Sequence, residues 1–128
     1  MSVLLDTHIL LWAAAGSERL PDAARRLIED RSTLLLFSAA SLWEIAIKSS
    51  LRRDDFQIDA KLLYRGLLDS GYVELPVTGS HAAAITSLPL IHRDPFDRIL
   101  VAQAMAEHLT LVTADETVAR YSAAIHLV

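Results

Sequence analysis

The sequence predicts an α/β fold, with about five short strands in a central, mostly parallel sheet and helices on both of its faces. Two observations predict it. Apolar runs such as Val3-Leu4-Leu5 and Leu34-Leu35-Leu36-Phe37 lack the apolar/polar alternation of a strand that has one wet face, so they read as strands buried on both sides. These runs alternate along the chain with segments of helical character, the pattern that builds parallel sheets through crossover helices. A length of 128 residues with 52% hydrophobic side chains gives one domain, residues 1–128, large enough to bury a core.

The elements follow in order. Val3 to Leu5 form the first strand, which ends on the polar pair Asp6-Thr7, and Ile9 to Ala15 form a helix stopped by Gly16-Ser17. Pro21-Asp22 open a second helix running to about Arg31, with Ala24, Leu27 and Ile28 inward and Arg25, Arg26, Glu29 and Asp30 outward. Leu34 to Phe37 form the second strand. Ser41-Leu42-Trp43-Glu44 has the spacing of a capping box and is expected to start the next helix, continued by Ile45, Ile47 and Leu51. Arg52 to Ile58, the most polar stretch, reads as a loop or helical turn. A helix over Ala60 to Leu68 ends at Gly71, and Tyr72 to Pro76 form a strand whose proline suits a sheet edge. Ser80 to Leu88 form a small helix closed by Pro89. Asp94-Pro95-Phe96-Asp97 is a complete helix start: Asp94 as N-cap, Pro95 at the first position and Asp97 at the third, near the positive end of the helix dipole. Phe96, Ile99, Leu100, Val101, Ala104 and Met105 span too wide an arc for a surface helix, so this one is buried, to about His108. Thr110 to Thr113 form a strand, Asp115 to Tyr121 a short helix, and Ala124 to Val128 a last strand.

Composition excludes several classes. With 12 basic and 16 acidic residues the net charge is −4, which argues against holding nucleic acid by bulk positive potential but not against gripping phosphate through a metal. The absence of Cys rules out disulfides and thiolate zinc sites and fits a reducing cytoplasm. The apolar N-terminus does not read as a signal peptide, since no Lys or Arg precedes the run and Asp6 and His8 interrupt it. No apolar run approaches the roughly 20 residues needed to cross a bilayer.

Right-handed crossovers would set all strand C-termini along one sheet edge, where sites form in such folds. Asp6, Glu44, Asp97 and Asp115 all fall at or near that edge. Glu44, Asp97 and Asp115 each have a capping or helix-start explanation; Asp6 is harder to explain so, because an ionisable group beside a buried strand is costly without compensation. Four carboxylates packed together would repel by roughly 3 kcal/mol per pair at about 5 Å. A divalent cation removes that repulsion, and an all-oxygen donor set without Cys or paired His favours Mg²⁺ or Mn²⁺. Such an ion supports phosphodiester hydrolysis.

Leu4-Leu5-Asp6-Thr7-His8, Trp43-Glu44-Ile45-Ala46-Ile47-Lys48, Arg93-Asp94-Pro95-Phe96-Asp97-Arg98 and Thr113-Ala114-Asp115, in this order, resemble the PIN-domain ribonucleases, in particular the VapC-type toxins of bacterial toxin–antitoxin pairs. The resemblance spans nearly the whole chain. It implies a three-layer α/β/α fold, a Mg²⁺- or Mn²⁺-dependent endoribonuclease, a homodimer, and inhibition by a cognate antitoxin. By position, Asp6, Glu44 and Asp97 match the metal-binding acids and Asp115 a more variable fourth; Thr7 and Thr113 match hydroxyls that orient a carboxylate or a water. The chain departs from the pattern after Lys48, where Arg52-Arg53-Asp54-Asp55 stands in place of a Gly-Lys turn.

Around these residues, Asp94 reads as a cap, with contact to the metal's ligands as the sharper alternative. Lys48, four residues after Glu44, suits an ion pair or a phosphate contact. Arg93 and Arg98 suit either neutralisation of the acids or a grip on RNA phosphates. His8 and His92 read as rim groups with no metal-site spacing, Trp12 and Trp43 as core, and Arg25, Arg26, Arg52, Arg53, Lys61 and Arg65 as solvated surface. A haloacid-dehalogenase-type phosphatase would need a second Asp two residues after Asp6, where His8 stands. A receiver domain would need a Lys ending a later strand. An RNA-processing nuclease of the same fold and a catalytically silent binding module stay open as alternatives.

Overall fold

The computed structural model describes residues 1–51 and 58–128, so the Arg52-Arg53-Asp54-Asp55 departure lies outside the described residues. The elements are β1 (Ser2–Leu5), α1 (Thr7–Ala15), α2 (Asp22–Glu29), β2 (Leu34–Ser38), α3 (Ala39–Ser50), α4 (Ala60–Asp69), β3 (Val73–Leu75), α5 (Gly79–Ala84), a 3-10 turn (Ile85–Ser87), α6 (Pro95–Ala106), β4 (Thr110–Thr113), α7 (Glu116–Ala119) and β5 (His126–Leu127). The strands form one sheet in the order β3-β2-β1-β4-β5, every neighbouring pair parallel. The proline-flanked β3 lies at an edge.

Strand alternation sorts the core into two layers. Val3, Leu5, Phe37 and Val112 pack with Ile9 and Leu10 of α1, Ala24 of α2 and Leu67 of α4. Leu4, Leu36 and Leu111 pack on the opposite face with Leu100, Val101 and Ala104 of α6 and Val118 of α7. Adjacent residues of one strand thus serve opposite layers, which is why the runs are apolar throughout. From β1 the chain proceeds to β2 and β3 on one side and later to β4 on the other. The order reverses at β1, and the crevice beyond the C-terminal ends of β1 and β4 is the place such a sheet offers a ligand.

Three local expectations are corrected. The helix expected to open at Ser41 begins at Ala39: Ser38, the last residue of β2, is its N-cap and accepts a hydrogen bond from the Ala40 N–H at 3.0 Å. Glu44 is therefore inside the helix and completes no capping box. Its carboxylate needs another partner. The helix expected over Ser80 to Leu88 becomes α5 followed by the 3-10 turn, with Thr78 as cap in a capping box whose reciprocal partner is His81. In α6 the residues from Ile99 to Ala104 are buried, but Met105 is 53% exposed and Phe96 half-buried.

Helix α6 also stops before His108, which takes a left-handed conformation with φ 55°. The Leu109 N–H then bonds the Ala104 carbonyl at 2.8 Å, closing the helix end. A side chain there costs about 1 kcal/mol relative to glycine. His108→Gly is expected to raise the melting temperature by about 4 °C in a thermal melt. An unchanged or lower midpoint would refute the assignment of strain.

Candidate active site

Asp6 leaves β1 at the sheet switch point. It also caps α1, a role the sequence did not suggest: Oδ1 accepts from the Ile9 N–H at 3.0 Å, and Oδ2 accepts a hydrogen bond from Thr113 Oγ1 at the end of β4. Thr113 in turn accepts from the Asp115 N–H at 3.0 Å, so one hydroxyl links the two acids that follow neighbouring strands. Burial pushes the Asp6 carboxyl above the usual carboxylate range; the Ile9 and Thr113 hydrogen bonds and the nearby His8 pull against this, and Asp115 adds to it. Thr7, expected beside the acids, instead donates to Ser41 Oγ at 2.9 Å and ties α1 to α3.

Glu44 comes from α3 and is only 4% exposed. Its Oε2 accepts from Lys48 Nζ at 2.7 Å, so Lys48 is the ion-pair partner. Its Oε1 is buried and has no hydrogen-bond partner among the described residues. A bare buried carboxylate oxygen costs of the order of 1–3 kcal/mol. A buried pair that no sequence motif marks ties the start of α3 to α6: Ser38 Oγ donates to Gln103 Oε1 at 2.6 Å, and Gln103 Nε2 donates to the Pro76 carbonyl at 3.3 Å.

Asp97 lies at the start of α6, whose cap is Asp94 as expected: Asp94 Oδ1 accepts from Phe96 N at 2.8 Å and Asp97 N at 3.3 Å. Burial, then the charge of Asp94, pushes the Asp97 carboxyl up to about 7; Asp6 and Glu44 add to this and His92 opposes it. Asp6 and Glu44 thus lie near enough to raise the Asp97 carboxyl. Asp115 caps α7 through Oδ1, which accepts from Thr117 N at 2.8 Å, and presents Oδ2 to His92 Nε2 at 3.7 Å.

Among the described residues, His92, Asp97 and Asp115 offer possible donor atoms all within 4.8 Å of one another, a grouping that leaves out Asp6 and Glu44. His92 is thus drawn into the site rather than left at its rim, whereas His8 is exposed. Sequence offered no signal for it, because the loop that delivers it has no periodicity. Arg98 is also reassigned. Its guanidinium donates to the carbonyls of Pro89 and Ile85 and to Tyr121 Oη, and so holds the preceding loop instead of neutralising the acids. Trp43, expected in the core, is 64% exposed and meets Phe96 edge-on at 5.3 Å between centroids, while Trp12 is half-buried against the first core layer. Arg25, Arg26, Lys61 and Arg65 are exposed.

The donor set fits a hard divalent cation. The carboxylates of Asp6, Glu44 and Asp97 offer oxygen donors of the kind such an ion takes, Glu44 Oε1 is buried without a partner among the described residues, and the Asp6 and Asp97 carboxyls are pushed upward.

A parallel three-layer α/β/α sheet with acids gathered at its switch point defines the class, and comparison with known proteins gives the family. Residues 3–124 match the PIN domain family, and the chain belongs to it. It is 33% identical to Ribonuclease VapC22 of Mycobacterium tuberculosis over 115 residues, covering 89% of this chain and 87% of that one. Among solved structures it is similar to VapBC2 from Rickettsia felis bound to a DNA fragment from the promoter, with TM-score 0.69 and 19% identity over 100% of this chain and 98% of that chain. A toxin–antitoxin complex from Klebsiella pneumoniae matches with TM-score 0.67 and 17% identity over 96% and 94% of the two chains. These structural likenesses carry the fold. Among the described residues no helix is long and apolar enough to cross a membrane.

Proposed function

We propose that the chain is a Mg²⁺- or Mn²⁺-dependent endoribonuclease that acts as the toxin of a toxin–antitoxin pair. Two observations support the chemistry: Glu44 Oε1 is buried without a hydrogen-bond partner among the described residues, and the Asp97 carboxyl is pushed to about 7, first by burial and then by Asp94, with Asp6 and Glu44 adding to it. The ribonuclease relative and the toxin–antitoxin complexes among the solved structures support the biological reading.

In this reading Asp6, Glu44 and Asp97 hold the cation, with Asp115 as a fourth carboxylate beside them. When bound, the ion supplies Lewis-acid activation of the phosphodiester and of an attacking water. The chain's own groups prepare for it. Thr113 fixes the rotamer of Asp6. Lys48 occupies Glu44 Oε2 and leaves Oε1 for the ion. Asp94 is a cap, and its charge adds to the field that draws a cation to Asp97.

The partners that go with this function are an RNA substrate, a cognate antitoxin and a second copy of the chain. A Cys-free chain suits the cytoplasm.

Incubation of the purified, antitoxin-free chain with structured RNAs and Mn²⁺ tests the mechanism. Cleavage is expected with Mn²⁺, none with EDTA, and at least a thousandfold less with Asp6→Asn. Cleavage that persists in EDTA would overturn it.

A further inference from the structure

The loop before α6 carries a hydrogen-bond arrangement that catalysis by the acids alone does not require. His92 is held at every polar group it has. Its backbone N–H donates to Tyr121 Oη at 2.8 Å, and Tyr121 donates back to the His92 carbonyl at 3.1 Å. Arg98 braces that hydroxyl at 3.0 Å while also donating to the Pro89 carbonyl at 3.1 Å and the Ile85 carbonyl at 3.3 Å. The ring is fixed as well. Nδ1 accepts the Asp94 N–H at 3.3 Å, and Nε2 lies 3.0 Å from Asp97 Oδ2.

This pattern assigns the tautomer. A backbone N–H has no lone pair, so Nδ1 facing it must be the unprotonated nitrogen, and the neutral ring then carries its proton on Nε2. A protonated Nε2 cannot coordinate a metal. The group formed by His92, Asp97 and Asp115 therefore has the spacing of a metal site while one of its three members is a donor of hydrogen bonds.

We propose that His92 is a positioning residue: its Nε2–H orients the Asp97 carboxylate and leans toward Asp115, and Arg98 with Tyr121 is the clamp that sets the loop from which it does so. The inference rests on the metal reading of Asp97 for its consequence in cation affinity, but the hydrogen bond itself exists without a cation. Such supporting contacts to a ligand are worth about 10- to 100-fold in metal affinity. Tyr121 reaches this loop through its hydrogen bonds to the His92 backbone, so removing the imidazole should make the Tyr121 hydroxyl irrelevant to the site.

The experiment combines calorimetric Mn²⁺ binding with long-range ¹H–¹⁵N spectra of the imidazoles, on the full chain, with and without Mg²⁺. His92→Ala is expected to weaken Mn²⁺ binding at least tenfold, and His92→Gln, which restores an amide N–H donor, to recover most of the loss. Tyr121→Phe is expected to weaken binding severalfold in the parent chain and to add nothing in the His92→Ala background. The spectra are expected to show His92 Nε2 protonated in both conditions. Loss of that proton on Mg²⁺ addition would make His92 a ligand and overturn the proposal. Equal effects of Tyr121→Phe in the two backgrounds would reduce the clamp to a general structural role and overturn its part. If the parent chain binds no cation, the metal reading fails, and the metal-free spectra alone decide this proposal: protonated Nδ1 refutes it, protonated Nε2 upholds it.

Discussion

Asp97→Asn is expected to abolish RNA cleavage and, in the same molecule, to make the metal-free protein more stable. A carboxyl whose value moves from 3.8 to about 7 on folding is held ionised at pH 8 at a cost of up to about 4 kcal/mol. Burial supplies the largest part and the charge of Asp94 the next. Asn is nearly isosteric, removes the charge, and keeps a carbonyl oxygen to accept the His92 Nε2–H. The melting temperature without metal is expected to rise by on the order of 10 °C at pH 8, and cleavage in Mn²⁺ to fall at least a thousandfold. A variant that loses activity and stability together would show that Asp97 is a structural acid, and the site assignment would fail.

The pH dependence of stability is the second large effect. Between 3.8 and about 7 the folded chain holds a proton on Asp97 that the unfolded chain has released, so stability falls as pH rises through that window and the loss is complete above it. The raised Asp6 carboxyl acts in the same direction. Metal-free protein is therefore expected to melt higher at pH 5.5 than at pH 8. A divalent cation binds the ionised form, so Mg²⁺ at a hundredfold excess over its dissociation constant should restore about 2.7 kcal/mol at pH 8. At pH 5.5 protons compete, and the gain should be much smaller. Differential scanning fluorimetry at the two pH values, with and without Mg²⁺, measures this directly. An equal metal effect at both would remove the acid cluster from the binding site.

Both effects come from placing charge where the fold makes it expensive, a common property of functional sites. The cost is contained by small local devices. Thr113 and the Ile9 N–H share the Asp6 carboxylate, Lys48 takes half of Glu44, and His92 takes one oxygen of Asp97. What they leave open is Glu44 Oε1, the oxygen with most to gain from a cation.

The sequence by itself determined the strands, the parallel order of the sheet's construction and the cap at Asp94. These follow from local rules: an apolar run buried on both faces, a helix start with its proline, a chain that alternates strand and helix. It also brought Asp6, Glu44, Asp97 and Asp115 to one edge, because crossovers leave strand ends no other place to collect. Only the tertiary structure decided how each polar group is used. Ser38 in place of Ser41 caps α3 because β2 runs straight into the helix, which frees Glu44 for the crevice. Thr7 bonds Ser41, Arg98 grips a loop, and Trp43 lies at the surface, since each side chain takes the partner that packing puts within about 3 Å, and spacing along the chain does not encode that. His92 depends on a partner that local sequence does not supply. Its place at the acids is set by Tyr121, which stands 29 residues further along the chain and meets it only when α7 folds back against α6.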